Sequence, residues 1–362
     1  MNTALTPTVE RTGTPTLIQG NIALAEGALH AGLDCYFGYP ITPQNQVPEY
    51  LSANLPERGG TFVQAESELA SINMVLGAAA TGARAMTSSS GPGISLMQEG
   101  ISFMAGDKLP AVIANVMRCG PGMGGIKPTQ GDYLQATRGG GHGDYHTITL
   151  APASVQEMFD LTYRAFDIAD TYRNPVLILA DAILGQMKEP AILEAPYARG
   201  QVDKSDWALT GATGRNVRNI RSMLLEGDDQ EQLNFELERK YNRVKQELPM
   251  WECIDTDDAD LVVVAFGTSA RISSSAARQA RAEGLRVGVM RPITLFPFPE
   301  EALRELAGKV GKFLVVEMNL GQMLQDVRAI VGHDIPVSFH GRPGGGVPTA
   351  SEVLGKIKES LS

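Results

Sequence analysis

Cysteine is scarce in this chain: three among 362 residues, Cys35, Cys119 and Cys253, far apart and without a CxxC pair. That excludes a disulfide framework. It also excludes an iron–sulfur or zinc site built within the chain, since clusters need about four closely arranged thiolates. Each cysteine therefore reads as a small buried apolar residue. Basic residues are outnumbered, 31 Lys and Arg against 41 Asp and Glu, for a net charge of -10. A chain so acidic carries no footprint for nucleic acid or for an anionic membrane surface. No window approaches an uncharged apolar run of about 18 residues, so no membrane span is expected. Residues 1–16 are polar, without the apolar stretch of a secretory signal, and a cytoplasmic protein is the expectation. Two nucleotide and hydrolase signatures are missing as well: no glycine loop ends in Gly-Lys-Ser/Thr, and there is no Gly-x-Ser-x-Gly. The five histidines, His30, His142, His146, His333 and His340, show no metal-ligand spacing.

What remains is a chain that is 43% apolar, long enough for two domains with real cores. Its 20% charged residues fall below the usual quarter, which suits a chain with much surface hidden in an assembly. Strand–loop–helix alternation runs through the first half. Apolar periodicity predicts helices over 20–32, 47–54, 68–81, 94–103 and 154–172. Strands are expected at 35–39, 61–64, 85–87, 111–116 and 176–180. The continuous apolar runs at 111–116 and 176–180 read as parallel strands buried on both faces. This pattern indicates an α/β layered fold. From about 186 to 258 it changes. Residues 216–247 carry dense charge at helical spacing, interleaved with Leu233, Leu237, Tyr241 and Val244. They read as an amphipathic helix, packed on its own chain or gripping a neighbouring subunit. A second α/β unit opens at 259, with strands at 261–268, 286–290, 312–317 and 337–339. Helices are expected between and after them at 273–283, 300–306, 320–331 and 350–359. The expected division is a tail 1–16, a first domain 17–195, a linker with the charged arm 196–258, and a second domain 259–362.

Four stretches carry candidate chemistry. Pro40-Ile41-Thr42-Pro43 brackets a hydroxyl with two φ-fixing residues at a strand end. Such a stiff loop either presents Thr42 to a substrate or is a simple turn. Glu68 opens an Ala- and Gly-rich helix. A carboxylate there is either used chemically or merely favoured by the helix dipole, a role that Glu66 fits equally. Arg118 ends the buried strand and precedes the loop Cys119-Gly-Pro-Gly-Met-Gly-Gly125. It is either a bidentate receptor for an anion or a structural ion-pair partner. Ser88-Ser-Ser-Gly-Pro-Gly93 is either a backbone nest for an anion, with Ser90 as cofactor contact, or a hydroxyl-rich turn. His142 sits in a glycine-rich loop, on the surface or approaching the site.

In this order, Tyr39-Pro-Ile-Thr-Pro43, Gln64-Ala-Glu-Ser-Glu68, Thr87-Ser-Ser-Ser-Gly-Pro-Gly93, Arg118-Cys-Gly-Pro-Gly122, His142-Gly-Asp-Tyr145, Arg291-Pro-Ile-Thr-Leu-Phe-Pro297 and Val316-Glu-Met-Asn-Leu-Gly-Gln322 resemble the α subunit of 2-oxoacid:ferredoxin oxidoreductases. The match spans about residues 17–362, and the loop 120–130 makes it most like the 2-oxoisovalerate (branched-chain) type. The resemblance implies an α/β fold of two domains, a thiamine-diphosphate-type pyrimidine domain and a transketolase C-terminal-like domain. It implies oxidative decarboxylation of a 2-oxoacid to acyl-CoA, with electrons passed to ferredoxin. Glu68 matches the glutamate that hydrogen-bonds the aminopyrimidine ring. Thr42 matches a threonine beside the substrate's oxo or carboxylate group, and Arg118 the arginine that pairs with the carboxylate. The Gly-Asp-Gly and Asn-Asn segments that hold the pyrophosphate through Mg2+ are missing, as is any ferredoxin-like cysteine run. The implied remainder lies in partners: a β subunit with the pyrophosphate domain, a γ subunit, and a ferredoxin-like δ subunit carrying [4Fe-4S] clusters. Coenzyme A is the implied co-substrate. Pyruvate, 2-oxoglutarate or an aryl 2-oxoacid are alternative substrates, and a non-catalytic scaffold of the same fold is the rival reading.

Overall fold

A computed structural model describes residues 11–362. The first ten residues of the expected tail lie outside the described residues. Residues 11–15 have no regular structure, and at residue 16 begins the strand Thr16–Gln19, paired antiparallel with Lys188–Ala191.

The first domain is built on a seven-stranded sheet. Its order is Thr294–Phe296, Ile148–Leu150, Pro175–Asp181, Ala111–Met117, Ala85–Ser89, Cys35–Gly38, Thr61–Gln64. All neighbours run parallel except Thr294–Phe296 against Ile148–Leu150. Every residue of Ala111–Met117 and Pro175–Asp181 is buried, as their unbroken apolar runs require. Helices Gly20–His30 and Val155–Tyr172 pack tightly on each other, while Glu68–Ala80 and Pro92–Gly106 form a second close pair. The second domain has a five-stranded sheet in the order Val337–Gly341, Lys312–Glu317, Leu261–Val264, Val287–Pro292, Trp251–Ile254. Only Trp251–Ile254 is antiparallel to its neighbour.

The chain changes sheets at both edges. Trp251–Ile254, from the expected linker, closes the second sheet, and Thr294–Phe296, from the second domain, closes the first. Further polar contacts join the domains. The Gln130 amide nitrogen donates to the Phe266 carbonyl at 2.7 Å, and its oxygen accepts from Ser269 at 2.7 Å and from the Met318 backbone at 3.0 Å. Asp181 accepts from the Thr268 hydroxyl at 2.7 Å and backbone N–H at 3.0 Å. Burial pushes the Asp181 carboxyl up, and these bonds offset part of that rise. The carboxylate caps the helix Gly267–Ala282, which therefore begins six residues before the expected position 273.

The charged arm is shorter than expected. Its helix is Asp229–Glu247; Gly227, at φ 51°, stops it, and residues 216–228 are irregular. The stripe Leu233, Leu237, Tyr241 and Val244 is buried within this chain, with the Tyr241 hydroxyl on Asn174 at 3.2 Å. The expected helix 320–331 begins at Met323, because the Asn319 side chain holds the N–H groups of Gly321 and Gln322 in a preceding turn. Among the described residues no helix is long and apolar enough to cross a membrane.

Candidate active site

Three neighbouring strands, Cys35–Gly38, Ala85–Ser89 and Ala111–Met117, end at one rim of the first sheet. Their following loops carry the residues expected to act. This is where open parallel sheets place ligands.

Glu68 comes from the helix Glu68–Ala80. Ser67 caps it by accepting from the Ala70 N–H at 3.2 Å, so the carboxylate projects from the first turn. It is 6% exposed and accepts from the Ser89 hydroxyl at 3.4 Å. It also lies directly over Gly93. A Cβ added at Gly93 would stand 2.4 Å from its Oε1 and 2.1 Å from the Ser89 Oγ. The glycine is thus required by the approach of a carboxylate to the head of the next helix.

Beside this carboxylate the chain is rich in buried polar atoms without partners. Ser90 is fully buried and its Oγ makes no hydrogen bond; the same holds for Thr87 Oγ1, Asn115 Oδ1 and Arg118 Nε. Such atoms are rare in folded proteins and mark places where a bound group completes the bonding. Asn115, cross-strand from Ser89, donates to Asp132 at 2.9 Å. Burial pushes the Asp132 carboxyl up, and the Asn115 bond opposes that shift.

Arg118 is buried and its fork is spread between two loops. Nη1 donates to the Thr42 carbonyl and Nη2 to the Met123 carbonyl, each at 3.0 Å. Among the described residues Arg118 makes no ion pair. Its bonds go to two backbone carbonyls and, from Nη2, to the Met123 sulfur at 3.8 Å rather than to an acidic partner, while Nη1 keeps a second N–H and Nε is without a partner. Arg118 also passes beside Gly91, the residue after the serines.

The Thr42 loop is fastened from below. The Ser88 hydroxyl donates to Gln44 at 2.5 Å, so the 2.6 Å bond between Ser88 and Tyr36 has the tyrosine as donor. Asn21 donates to the Pro43 carbonyl at 2.8 Å. Thr42 itself is exposed, accepts from Asn45 at 3.3 Å, and keeps its own O–H available. A cleft of about 480 Å³ opens next to it. A larger cavity, about 940 Å³, lies away from these residues, between the helix Asp229–Glu247 and the 295–304 segment.

The structure therefore links Glu68, Ser89, Gly93, Gly91, Arg118 and Thr42 in one contact chain, with Ser90 buried among them. His142 is exposed in its loop. Sequence reasoning placed Ser89 and Gly93 inside the candidate nest 88–93 without giving either a role of its own, and it missed Asn115 and Asp132. Gly93 carried a signal of its own, a glycine just inside a helix start, whereas Asn115 and Asp132 are ordinary polar residues whose meaning comes from cross-strand register. Among the described residues no group of three or more His, Cys, Asp or Glu side chains could hold a metal ion. The residues present suit the ring half of a thiamine cofactor: a buried carboxylate beside unpartnered hydroxyl and amide oxygens.

Two family models match the chain. Residues 26–252 match the pyruvate flavodoxin/ferredoxin oxidoreductase, thiamine diphosphate-binding family, and residues 259–353 match pyruvate:ferredoxin oxidoreductase core domain II. The chain belongs to the 2-oxoacid:ferredoxin oxidoreductase family. Within that family it is 51% identical to the ketoisovalerate oxidoreductase subunit VorB of Methanothermobacter thermautotrophicus, over 95% of this chain and 97% of the relative. It is 39% identical to the 2-oxoglutarate synthase subunit KorA of Methanocaldococcus jannaschii, over 86% of this chain and 91% of that one. Among solved structures, the 2-oxoglutarate:ferredoxin oxidoreductase of Magnetococcus marinus superposes with a TM-score of 0.86 at 27% identity. That match covers 97% of this chain and 66% of the other. A split-gene transketolase, at 16% identity and a TM-score of 0.58, shares the fold. The two-domain α/β architecture expected for this oxidoreductase family is the one observed.

Proposed function

We propose that this chain is the pyrimidine-domain subunit of a CoA-dependent 2-oxoacid:ferredoxin oxidoreductase that acts on branched-chain 2-oxoacids. One observation carries the reading: a buried glutamate pressed against the head of a neighbouring helix, next to polar atoms that the chain leaves unpartnered. Thiamine diphosphate, when bound, supplies the electron sink for decarboxylation. Glu68 would hold its aminopyrimidine ring by a hydrogen bond and exchange a proton with it, while Ser90 would supply a further contact. The spare N–H groups of Arg118 and the Thr42 hydroxyl would orient the substrate's carboxylate and oxo oxygen. The wide margin of identity with the ketoisovalerate relative over the 2-oxoglutarate relative supports the branched-chain assignment.

A β subunit bearing the pyrophosphate domain, with γ and ferredoxin-like δ subunits, would supply the rest. The surface supports a partner at the Glu68 side. The helix Glu68–Ala80 has no charged residue after Glu68, and with Pro92–Gly106 it leaves Leu69, Met74, Leu96 and Phe103 exposed. A helix pair that exposes several large apolar side chains and few charges suits an interface. The test is Glu68→Gln in the purified complex, followed by CoA-dependent reduction of a viologen dye with a 2-oxoacid. Turnover is expected to fall by about 10²–10⁴-fold, the usual worth of a positioned acid–base group. Wild-type turnover would overturn the catalytic role.

A further inference from the structure

The cleft beside Thr42 has a chemical character of its own. Its walls are Pro43, Ile126, Pro128, Ala182 and Ile183, and the polar side chains among its lining residues are uncharged hydroxyl and amide groups. Ile126 is 65% exposed in a chain that buries most of its aliphatic side chains. Its loop is nevertheless firmly held. The Cys119 N–H donates to the Lys127 carbonyl at 2.9 Å, and the Gly125 N–H to the Cys119 carbonyl at 2.9 Å. Arg118 forms an isolated bridge with Pro128 and grips Met123. The stem of Lys127 lies against Gly345 of the second domain and is not part of the cleft wall. Thus Ile126 is an exposed apolar side chain on a held loop, and with Ile183 it lines the cleft that Thr42 also lines.

We infer that Ile126 and Ile183 form the wall that receives the substrate's alkyl side chain and so set its specificity. This rests on the site reading given above, in which Thr42 and Arg118 face the substrate's carboxylate and oxo group. With those two groups held at Thr42, the third substituent of the 2-oxoacid extends into the adjoining cleft. A branched aliphatic chain would cover Ile126 and Ile183 and lose its own hydration, which is favourable. A side chain ending in a second carboxylate would enter the same cleft with no cation to meet it, and an unpaired charge pays its full desolvation cost. An apolar pocket distinguishes substrates by about 10–200-fold per methylene, so a methyl side chain is also disfavoured.

The test compares kcat/KM for 2-oxoisovalerate, pyruvate and 2-oxoglutarate in the purified complex, by CoA-dependent viologen reduction. The wild type is expected to prefer 2-oxoisovalerate over pyruvate by at least about tenfold. Ile126→Lys is expected to lower the 2-oxoisovalerate to 2-oxoglutarate ratio by about a hundredfold, because it places a cation where the second carboxylate would arrive. Ile126→Ala and Ile183→Ala, which add no charge, are expected to erode the preference over pyruvate by about tenfold each. Ratios unchanged in these variants, with turnover retained, would overturn the inference and leave the proposed function standing. A wild-type complex that prefers 2-oxoglutarate would overturn the inference together with the branched-chain assignment, and leave the 2-oxoacid oxidoreductase reading standing. A wild-type complex that turns over no 2-oxoacid would overturn both.

Discussion

Two helices of this chain make opposite use of their apolar residues. Asp229–Glu247 has charges on its outer faces and buries Leu233, Leu237, Tyr241 and Val244 against the same chain. Glu68–Ala80 carries no charge beyond its first residue and leaves Leu69 and Met74 exposed. The first helix is finished within the chain: its apolar stripe is covered, and most of its charges, Lys240 apart, face water. The second is unfinished, and it starts at the residue proposed to act on the cofactor. Ser90, whose buried Oγ is left without a partner, follows Ser89, which bonds the carboxylate that starts this second helix. An incomplete surface beside an incomplete set of hydrogen bonds is the signature of half a shared site.

The contrast can be broken most severely at Gly93. Gly93→Ala would place a Cβ 2.4 Å from the Glu68 carboxylate. Displacing that group by about 1 Å is expected to cost on the order of 10²-fold in turnover of the complex. Thermal unfolding of the variant chain checks that the fold itself survives. A charge on the open face comes next. Leu96→Asp is expected to weaken assembly with the partner subunits by about 30-fold, the value of one interface hot spot, read by co-purification and sedimentation. Phe235→Asp, on the exposed side of the arm, serves as the matched control and is expected to leave assembly unchanged. In the finished helix the effect should fall on stability: Leu237→Ala removes a buried side chain and is expected to cost about 2–5 kcal/mol in denaturant unfolding. Activity per folded molecule should hold.

The last effect is pH-linked. Burial, with Lys108 and Arg173 nearby, pushes Lys240 down to about 7. The unfolded chain takes up this proton below about pH 10.5, whereas the folded chain does so only below about 7. Between those values the unfolded state binds more protons, so this group makes stability rise with pH across that window. Lys240→Met is expected to flatten the rise, and an unaltered pH profile of unfolding would contradict the shift.

Much of this was legible in the sequence. The apolar runs 111–116 and 176–180 could only be buried parallel strands, and the motifs around Thr42, Glu68 and Arg118 stand at one sheet rim. What escaped was set by distant contacts. The helix at Gly267 starts early because Asp181, 87 residues away, caps it. The short strands Ile148–Leu150 and Thr294–Phe296 have little periodicity of their own and exist because they pair with each other. Arg118 read as an anion receptor or an ion-pair partner, and the bonds it makes to the Thr42 and Met123 carbonyls could not be read from the sequence. Residues 216–228 carry helical composition, but Gly227 and the absence of a buried stripe leave them irregular.

The central claim is that this chain holds one half of a thiamine diphosphate site. It is tested most directly by calorimetric titration of thiamine diphosphate with Mg2+ into the isolated chain and into the assembled complex, each as wild type and as Glu68→Gln. The account predicts saturable binding to the wild-type complex, weaker binding to the Glu68→Gln complex, and none of comparable affinity to the chain alone. Binding to the isolated chain as tight as to the complex would contradict it.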